Sequence, residues 1–373
     1  MNNRERTMAI MNYEKYDRMP LVHFGYWGQL LQKWHSEGHI TKEELDGCWD
    51  GSPMDKKLDE KLGWDFCWSA QCGGNSGLLP GFEWKILETR PDGSQLQQNG
   101  NGLIEEVKPG LTSIPATVGT LMTGREAWEE LYKPKLQMSS QRHGSPEELA
   151  KTKDYIDGLT DRPAGMHVGS LYGSIRDMLG VEGLSYLYAD DEDLYYEIID
   201  TRGNLSYEVA KVLLESGIKP DFLHFWEDIC FKNGPLVNPA IFKEYVGPHY
   251  KKITDLGRKY GVNLASLDCD GCIDKLVPTW FENGVNTMFP IEVGTWNATI
   301  EPWRETHGKE LRGVGGMNKN VFSLDFKAVD EEIERLKPLV ETGGFIPCPD
   351  HRIPPHAKWD NVRYYCDQMR KTF

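Results

Sequence analysis

The sequence predicts a (β/α)8 barrel, an α/β fold in which eight parallel strands alternate with helices. The first observation is a series of eight short apolar runs, most of them separated by stretches long enough for a helix. The second is that four of these runs, all in the C-terminal half, end abruptly in polar or acidic residues. Parallel strands in a barrel converge on one face at their carboxyl ends, so we expect a functional site at that face.

The predicted strands are 20–24, 63–68, 164–169, 221–226, 262–267, 286–291, 311–315 and 344–348. Each is short, apolar and bounded by turn-forming or polar residues, which is typical of a buried strand. Helical patterns fall around and between them, including an amphipathic pattern over 1–17 and a long one over 192–216.

Residues 83–107 have a different pattern, with short alternating runs separated by Asp92-Gly93 and Asn99-Gly100. Such turns between alternating runs predict an antiparallel β-meander. The segment has too little apolar content to fold alone, so we expect an insertion on a single domain spanning 1–373. Its tip could cover the active face as a lid.

Composition narrows the class of protein. The 373 residues carry a net charge of -15, with 39% hydrophobic and 27% charged residues. This is ordinary for a soluble globular protein, and without a stripe of Lys and Arg we expect no nucleic-acid partner. The sequence has neither an apolar run long enough to span a membrane nor a signal-peptide core. The eight scattered cysteines favour free thiols in a reducing cytoplasm.

Two acidic motifs follow the fourth and fifth predicted strands. Glu227 either points into the pocket as an acid, base or metal ligand, or caps the next helix. Asp268 and Asp270 are close enough to raise each other's pKa, which would suit an acid working near neutral pH, although one of them could cap a helix. The Cys-x-x-Cys spacing of Cys269 and Cys272 is, without further ligands, weak evidence for zinc.

Histidines and aromatic residues add to the predicted site. His351 lies in a proline-rich loop and is either a proton donor, a metal ligand or a structural residue. His167 and His224 lie in apolar strands, where they are either core residues or part of the site. An aromatic wall for a planar ligand could be formed by Tyr26, Trp27 and Trp226, which could equally be ordinary packing.

Together these strand ends resemble the uroporphyrinogen decarboxylase superfamily, especially its corrinoid-dependent methyltransferase branch, over nearly the whole chain. The family fold is a (β/α)8 barrel, in agreement with the strand count. The resemblance is carried by Phe24-Gly25-Tyr26-Trp27, Trp226-Glu227-Asp228 with Gly234 and Pro239, Asp270-Gly271, Pro290-Ile291-Glu292, Gly315-Gly316 with Lys319, and Gly343-Gly344-Phe345-Ile346-Pro347 with Asp350-His351.

The chain departs from the family in two places. Porphyrin decarboxylases have an Arg-rich N-terminal motif, whereas the equivalent stretch here, 23–27, has no Arg. Thiol-methylating members have a His-x-Cys zinc motif where this chain has Asp268-Cys269-Asp270, and no Cys lies near Gly315. The resemblance therefore implies an oxygen-rich site similar to that of the methyltransferase component of O-demethylases, which pass a methyl group from an aryl methyl ether to cobalt(I) on a separate corrinoid protein.

On this hypothesis the ether oxygen must be protonated or polarised as the C–O bond breaks. The polarising set would be Glu227, Asp270 and His351, supported by Glu292 and His224. The substrate ring would be held by Tyr26, Trp27, His167 and Trp226. Zinc is a possible cofactor, and the candidate metal ligands are Glu227, Asp268, Asp270 and His351.

Alternatives remain open at this point. The chain could decarboxylate a small aromatic or pyrrole acid, with Arg352 and Arg312 as a carboxylate clamp, or it could use a different methyl donor. A third possibility is a non-catalytic ligand sensor, which the grouping of ionisable residues disfavours. The sequence lacks an Asp-x-His-x-x-Gly cobalamin motif, so the corrinoid would come from a partner protein. A homodimer is expected only from the resemblance.

Overall fold

The computed structural model describes residues 1–108 and 115–373. Its strands are β1 (Val22–His23), β2 (Phe66–Cys67), β3 (Ala70–Gly73), β4 (Lys85–Thr89), β5 (Gln95–Gln98), β6 (Leu103–Val107), β7 (Ala116–Thr120), β8 (Gly165–His167), β9 (Phe222–Trp226), β10 (Cys230–Phe231), β11 (Gly234–Pro235), β12 (Leu264–Asp268), β13 (Thr287–Phe289), β14 (Arg312–Met317) and β15 (Phe345–Pro349).

The α-helices are α1 (Asn3–Met11), α2 (Gly28–Ser36), α3 (Lys42–Gly47), α4 (Pro53–Leu62), α5 (Arg125–Ala127), α6 (Pro146–Gly158), α7 (Gly173–Asp190), α8 (Glu192–Glu215), α9 (Pro239–Ile241), α10 (Gly247–Lys259), α11 (Val277–Glu282), α12 (Val293–Trp296), α13 (Glu301–His307), α14 (Phe326–Glu341) and α15 (Trp359–Thr372). Short π or 3-10 segments cover Trp128–Tyr132, Lys133–Leu136, Ser140–Arg142, Phe242–Val246 and Lys319–Ser323.

The parallel strands form a TIM-barrel-like fold, as the sequence predicts. One sheet has the order β3-β8-β9-β12-β13-β14-β15, and β1 pairs in parallel with β2. The barrel closes where the chain after β15 meets the chain after β1: Tyr26 and Ile353 form a parallel bridge, and Trp27 N donates to Ile353 O. The second barrel strand is split into β2 and β3.

Two predicted elements differ in extent from what the structure has. Helix α1 ends at Met11, six residues before the predicted end at 17, although its start is well capped by Asn2 and Glu5 in a capping box. In the inserted segment, β4, β5 and β6 form an antiparallel meander, and β7 adds a fourth strand beyond the predicted end of the insertion at residue 107.

The pairing register determines which side chains share a face at the carboxyl ends of the strands. His167 lies opposite His224, while Asp268 lies opposite both Trp226 and Phe289. Side chains alternate along a strand, so residues in register point to the same side of the barrel wall. These residues therefore line the same region of the barrel interior.

Among the helices of the described ranges, none combines the length and hydropathy that crossing a membrane requires.

Candidate active site

Three carboxylates form the centre of the site, and we call Asp228, Asp268 and Asp270 the acid trio. Asp268 is the last residue of β12, Asp270 lies two residues beyond it, and Asp228 lies two residues beyond β9. One oxygen of each lies within 4.8 Å of the others. The backbone N–H of Asp270 donates to Asp228 Oδ1 at 3.1 Å, which ties the two loops together.

The backbone at Asp228 is in the left-handed region, with φ of 50°. Non-glycine residues rarely adopt this conformation, and such strain clusters at functional sites. The left-handed conformation of Asp228 turns the chain sharply after β9, so the adjacent acids Glu227 and Asp228 have different surroundings. Only Asp228 joins the acid trio.

Burial and repulsion between neighbouring carboxylates raise the pKa of two members of the acid trio, Asp228 and Asp268. Burial, followed by the charge of Asp270, raises the pKa of Asp228 to about 7. Burial, followed by the charge of Asp228, raises the pKa of Asp268 well above its usual value. Within the described part of the chain, Asp268 Oδ1 and Asp270 Oδ1 are buried without a hydrogen-bond partner. The trio can therefore donate a proton or bind a cation.

His351 is held beside the trio by one hydrogen bond and two rings. Its Nε2 lies 3.1 Å from Asp270 Oδ2. The Trp27 ring stacks on it at a centroid distance of 5.7 Å, and Phe24 meets it edge-on at the same distance. Burial lowers the pKa of His351, but the hydrogen bond and charge of Asp270 outweigh burial, so the net pKa is raised.

Glu292 and Asp350 support the loops around the trio. Glu292 accepts hydrogen bonds from Gly271 N at 2.6 Å and from the Thr295 hydroxyl at 2.8 Å. Burial and the charge of Asp270 raise the pKa of Glu292. Asp350 is fully buried and accepts from Gly294 N and from both the backbone N and Nζ of Lys319. The adjacent Asp350 and His351 thus have different surroundings, and only His351 contacts the trio.

Glu227 lies apart from the trio, in a buried network at the start of α7. Its carboxylate accepts from the backbone N–H groups of Leu171, Tyr172 and Gly173 at 2.7 to 2.9 Å. The hydroxyls of Ser170 and Tyr250 also donate to it. A side chain at Gly173 would collide with the backbone at Glu227, since its Cβ would lie 2.0 Å from that carbonyl oxygen. Glu227 therefore caps the start of α7, a helix that precedes it in the chain, and not the next helix as in the capping alternative of the sequence analysis.

His167 and His224 lie in the barrel wall below the acids, where both are neutral at pH 7. Burial, followed by the charge of His167, lowers the pKa of His224 to about 3, and burial also lowers that of His167. The His224 ring lies 6.2 Å from that of Phe289. In the ranges the structure describes, His224 Nδ1 is buried without a partner. It is therefore available to hydrogen-bond a ligand but not to protonate one.

The aromatic residues around the site are partly those expected. Trp27 contacts His351, and Trp226 is 36% exposed with the Arg176 guanidinium 6.0 Å above its ring. Tyr26 instead packs in the core, 5.0 Å from the His23 ring. Two further aromatic residues, Phe24 and Phe289, lie at the site without having been predicted there; their rings are 4.5 Å apart, beside His351 and His224. The alternation of side chains along the strands could have indicated both residues, because each occupies a position whose side chain points into the barrel.

Both arginines considered as a carboxylate clamp are already paired. Arg352 makes a two-pronged ion pair with Asp50, at 2.8 and 2.5 Å. Arg312 begins β14, at the opposite end of the barrel, where its guanidinium donates to the backbone oxygens of Met11 and Glu310. A substrate carboxylate would have to displace Asp50 to use Arg352.

The site fits a hard cation by the chemistry of its donors. The acid trio offers carboxylate oxygens and His351 a ring nitrogen, and such donors suit zinc or a harder divalent ion. Of the candidate metal ligands from the sequence, Asp268, Asp270 and His351 lie together, while Glu227 lies in its separate network. Cys269 accepts from Ile229 N at 3.4 Å and is buried.

The barrel fold of this chain is similar to that of solved structures. A methyltransferase from Methanosarcina mazei aligns over 100% of this chain and 98% of its own, with a TM-score of 0.61 and 16% identity. A B12-independent methionine synthase from Shewanella sp. W3-18-1 aligns over 95% of this chain and 98% of its own, with a TM-score of 0.49 and 12% identity. No protein-family model and no curated protein sequence matches the chain. At this level of identity the first of these similarities establishes the barrel fold.

Proposed function

We propose that this protein is an enzyme that transfers a methyl group from an aryl methyl ether to the cobalt(I) of a corrinoid carried by a separate protein. The observation that carries the proposal is the acid trio, with a carboxylic acid of pKa about 7 at the carboxyl end of a barrel. A phenolate is a poor leaving group, so the reaction needs an acid that is protonated near neutral pH.

In the proposed reaction, the nucleophilic cobalt(I) forms a bond to the methyl carbon as the methyl–oxygen bond breaks. The electron pair of that bond goes to the ether oxygen, which takes a proton and leaves as a phenol. We assign the proton donor to Asp228. Asp270 keeps the pKa of Asp228 high by its charge, and His351 is positioned by Asp270. His351, whose pKa is raised, can return the proton after turnover.

Aromatic rings at the site favour a flat substrate. Trp27, Phe24 and Phe289 contact one another or His351, so the substrate ring would have apolar faces to stack on next to the acids. Trp226 and His167 would complete this wall. His224, neutral and with a free ring nitrogen among the described residues, would hydrogen-bond a ring substituent. The ring is thereby oriented with its methoxyl oxygen toward Asp228.

A divalent ion is compatible with the same arrangement. If one is bound, the acid trio and His351 would hold it, and it would supply Lewis-acid polarisation of the ether oxygen. Glu292 would then keep the Gly271 loop in place through its bond to Gly271 N. The corrinoid itself would arrive on the partner protein, and residues 83–107 of the insertion would serve as a lid.

The test is a single-turnover reaction of the full-length protein with a cobalt(I) corrinoid carrier. Methoxylated phenols, methanol and methylamines are supplied one at a time, and methyl-cobalt is followed by its visible spectrum. The proposal predicts methyl-cobalt only with the methoxyphenols, and release of the matching phenol. Silence with every donor, while a control methyltransferase loads the same carrier, would contradict it.

The decarboxylase alternative makes a different prediction. It requires a cation that binds the substrate carboxylate, and Arg352 would have to leave Asp50 to do so. Release of carbon dioxide from an aromatic or pyrrole acid, lost in Arg352→Gln, would support that alternative over methyl transfer.

A further inference from the structure

A second cluster of metal-binding side chains lies between β1, β2 and α4, and we call it the α4 cluster. It consists of His23 on β1, Cys67 on β2, and Asp55 and Asp59 on α4. Donor atoms of His23, Asp55 and Cys67 all lie within 4.8 Å of one another. All four side chains are buried, with at most 4% of any residue exposed. None of them belongs to the acid trio or its supporting residues.

The α4 cluster has more polar atoms than the surrounding protein satisfies. Among the residues that the structure describes, His23 Nε2, Asp55 Oδ1 and both oxygens of Asp59 are buried without a hydrogen-bond partner. Asp59 Oδ1 lies 2.8 Å from His23 Nε2, within ion-pair distance, and Asp55 Oδ1 lies 3.9 Å from the same nitrogen. Gly51 N donates to the other oxygen of Asp55, but one imidazole cannot satisfy both carboxylates, so the remaining buried oxygens indicate a missing ligand.

The chemistry of the donors identifies the ligand. Imidazole nitrogen, thiolate sulfur and carboxylate oxygen are together the donor set of zinc, and the sulfur disfavours magnesium or calcium. A divalent cation would also offset the charge of two buried carboxylates and a thiolate. We propose that His23, Asp55 and Cys67, with Asp59 as the adjoining carboxylate, form a buried zinc site that joins the first two barrel strands to α4.

The orientation of His23 is fixed by its other nitrogen. Gly25 N donates to His23 Nδ1 at 2.9 Å, which directs Nε2 toward the carboxylates. Since Nδ1 accepts that bond, the ring proton of the metal-free protein sits on Nε2, and zinc must displace it. Zinc uptake should therefore release protons and weaken as the pH falls. The alternative to zinc is a metal-free cluster whose carboxylates share protons.

This site takes no direct part in the chemistry of methyl transfer. All four of its candidate ligands come from the protein and are buried, as in structural zinc sites. It would stabilise the end of β1, from which the chain continues to Phe24 and Trp27 beside His351. Its effect on the reaction would therefore be one of positioning.

The experiment measures metal content and thiolate ligation in the full-length protein. The chain is produced in zinc-supplemented medium, and bound zinc is measured by mass spectrometry after removal of free metal. We expect about one zinc per chain that is lost in Cys67→Ser and in Asp55→Asn. Cobalt(II) loaded in place of zinc should give a thiolate-to-cobalt charge-transfer band, which Cys67→Ser abolishes. A metal on the acid trio has only oxygen and nitrogen donors, so it would not produce this band.

The matched control is Cys269→Ser, since Cys269 is equally buried but lies beside the acid trio. It should keep both the zinc and the band. Zinc added to metal-free wild type should raise the unfolding temperature, and should not do so in Cys67→Ser or Asp55→Asn. Two results would overturn the proposal. The first is that Cys67→Ser and Asp55→Asn have the same metal content and unfolding temperature as wild type. The second is that the thiolate-to-cobalt band is lost in Cys269→Ser but kept in Cys67→Ser. If Cys67→Ser does not fold, the zinc content of the isosteric Asp55→Asn decides.

Discussion

Replacing Glu227 with Gln separates a structural role from a catalytic one. The carboxylate accepts three backbone N–H groups at the start of α7, and an amide can offer an acceptor oxygen at only one of its two positions. The amide oxygen can take the Oε2 position and accept from Tyr172 N and Gly173 N, but the NH₂ group then faces the buried Leu171 N. At about 1–3 kcal/mol for that unsatisfied group, we expect Glu227→Gln to lower the free energy of unfolding by about 1–3 kcal/mol.

The free energy of unfolding is measured by urea denaturation, with Glu334→Gln as the matched control. Glu334 is 67% exposed, so its replacement should change stability by less than about 0.5 kcal/mol. Methyl transfer, measured per folded protein, should stay within a few-fold of wild type in Glu227→Gln. A stable variant with normal unfolding but strongly reduced methyl transfer would refute this reasoning and return Glu227 to the active site.

Three further predictions concern the site. Asp270→Asn removes the like charge beside Asp228, so the pKa of Asp228 should fall. The decline of the methyl-transfer rate at high pH should then begin at a lower pH than in wild type. A pH profile identical to that of wild type would count against the coupling of the two acids. Trp27→Ala should raise KM for the methoxylated substrate more than it lowers kcat, and steady-state kinetics that show the reverse would contradict a ring-binding role. The Arg352 guanidinium pairs with Asp50 and lies 5.6 Å from the centre of the Phe24 ring, so Arg352→Gln should mainly lower stability to urea and change methyl transfer by no more than a few-fold.

The barrel could be predicted because its signals are local. Each buried strand is a short apolar run, and the long helix predicted at 192–216 is α8, Glu192–Glu215. The end of α1 and the split between β2 and β3 could not be predicted from the sequence, because both depend on contacts with distant parts of the chain. The closure of the barrel at Tyr26 and Ile353 is likewise a long-range contact.

The sequence predicts the neighbourhood of the site better than its individual contacts. Asp270 and His351, 81 positions apart, were expected together because both follow barrel strands, and they lie within hydrogen-bond distance. The left-handed backbone at Asp228, which gives Glu227 and Asp228 different surroundings, could not be predicted from the sequence. The alternation of His224 and Trp226 along β9 would have favoured Asp228, two positions further on.

The most direct test of the account is the pH dependence of single-turnover methyl transfer from a methoxyphenol, in wild type and in Asp228→Asn. Asp200→Asn, whose side chain is 70% exposed and far from the acid trio in the sequence, serves as the control. For wild type we expect a constant rate at low pH and a fall of about tenfold per pH unit above about 7, where Asp228 loses its proton. Asp228→Asn should be slower by about 10²-fold or more, without that fall. A variant that keeps the wild-type rate and the wild-type profile would contradict Asp228 as the acid on which methyl transfer depends.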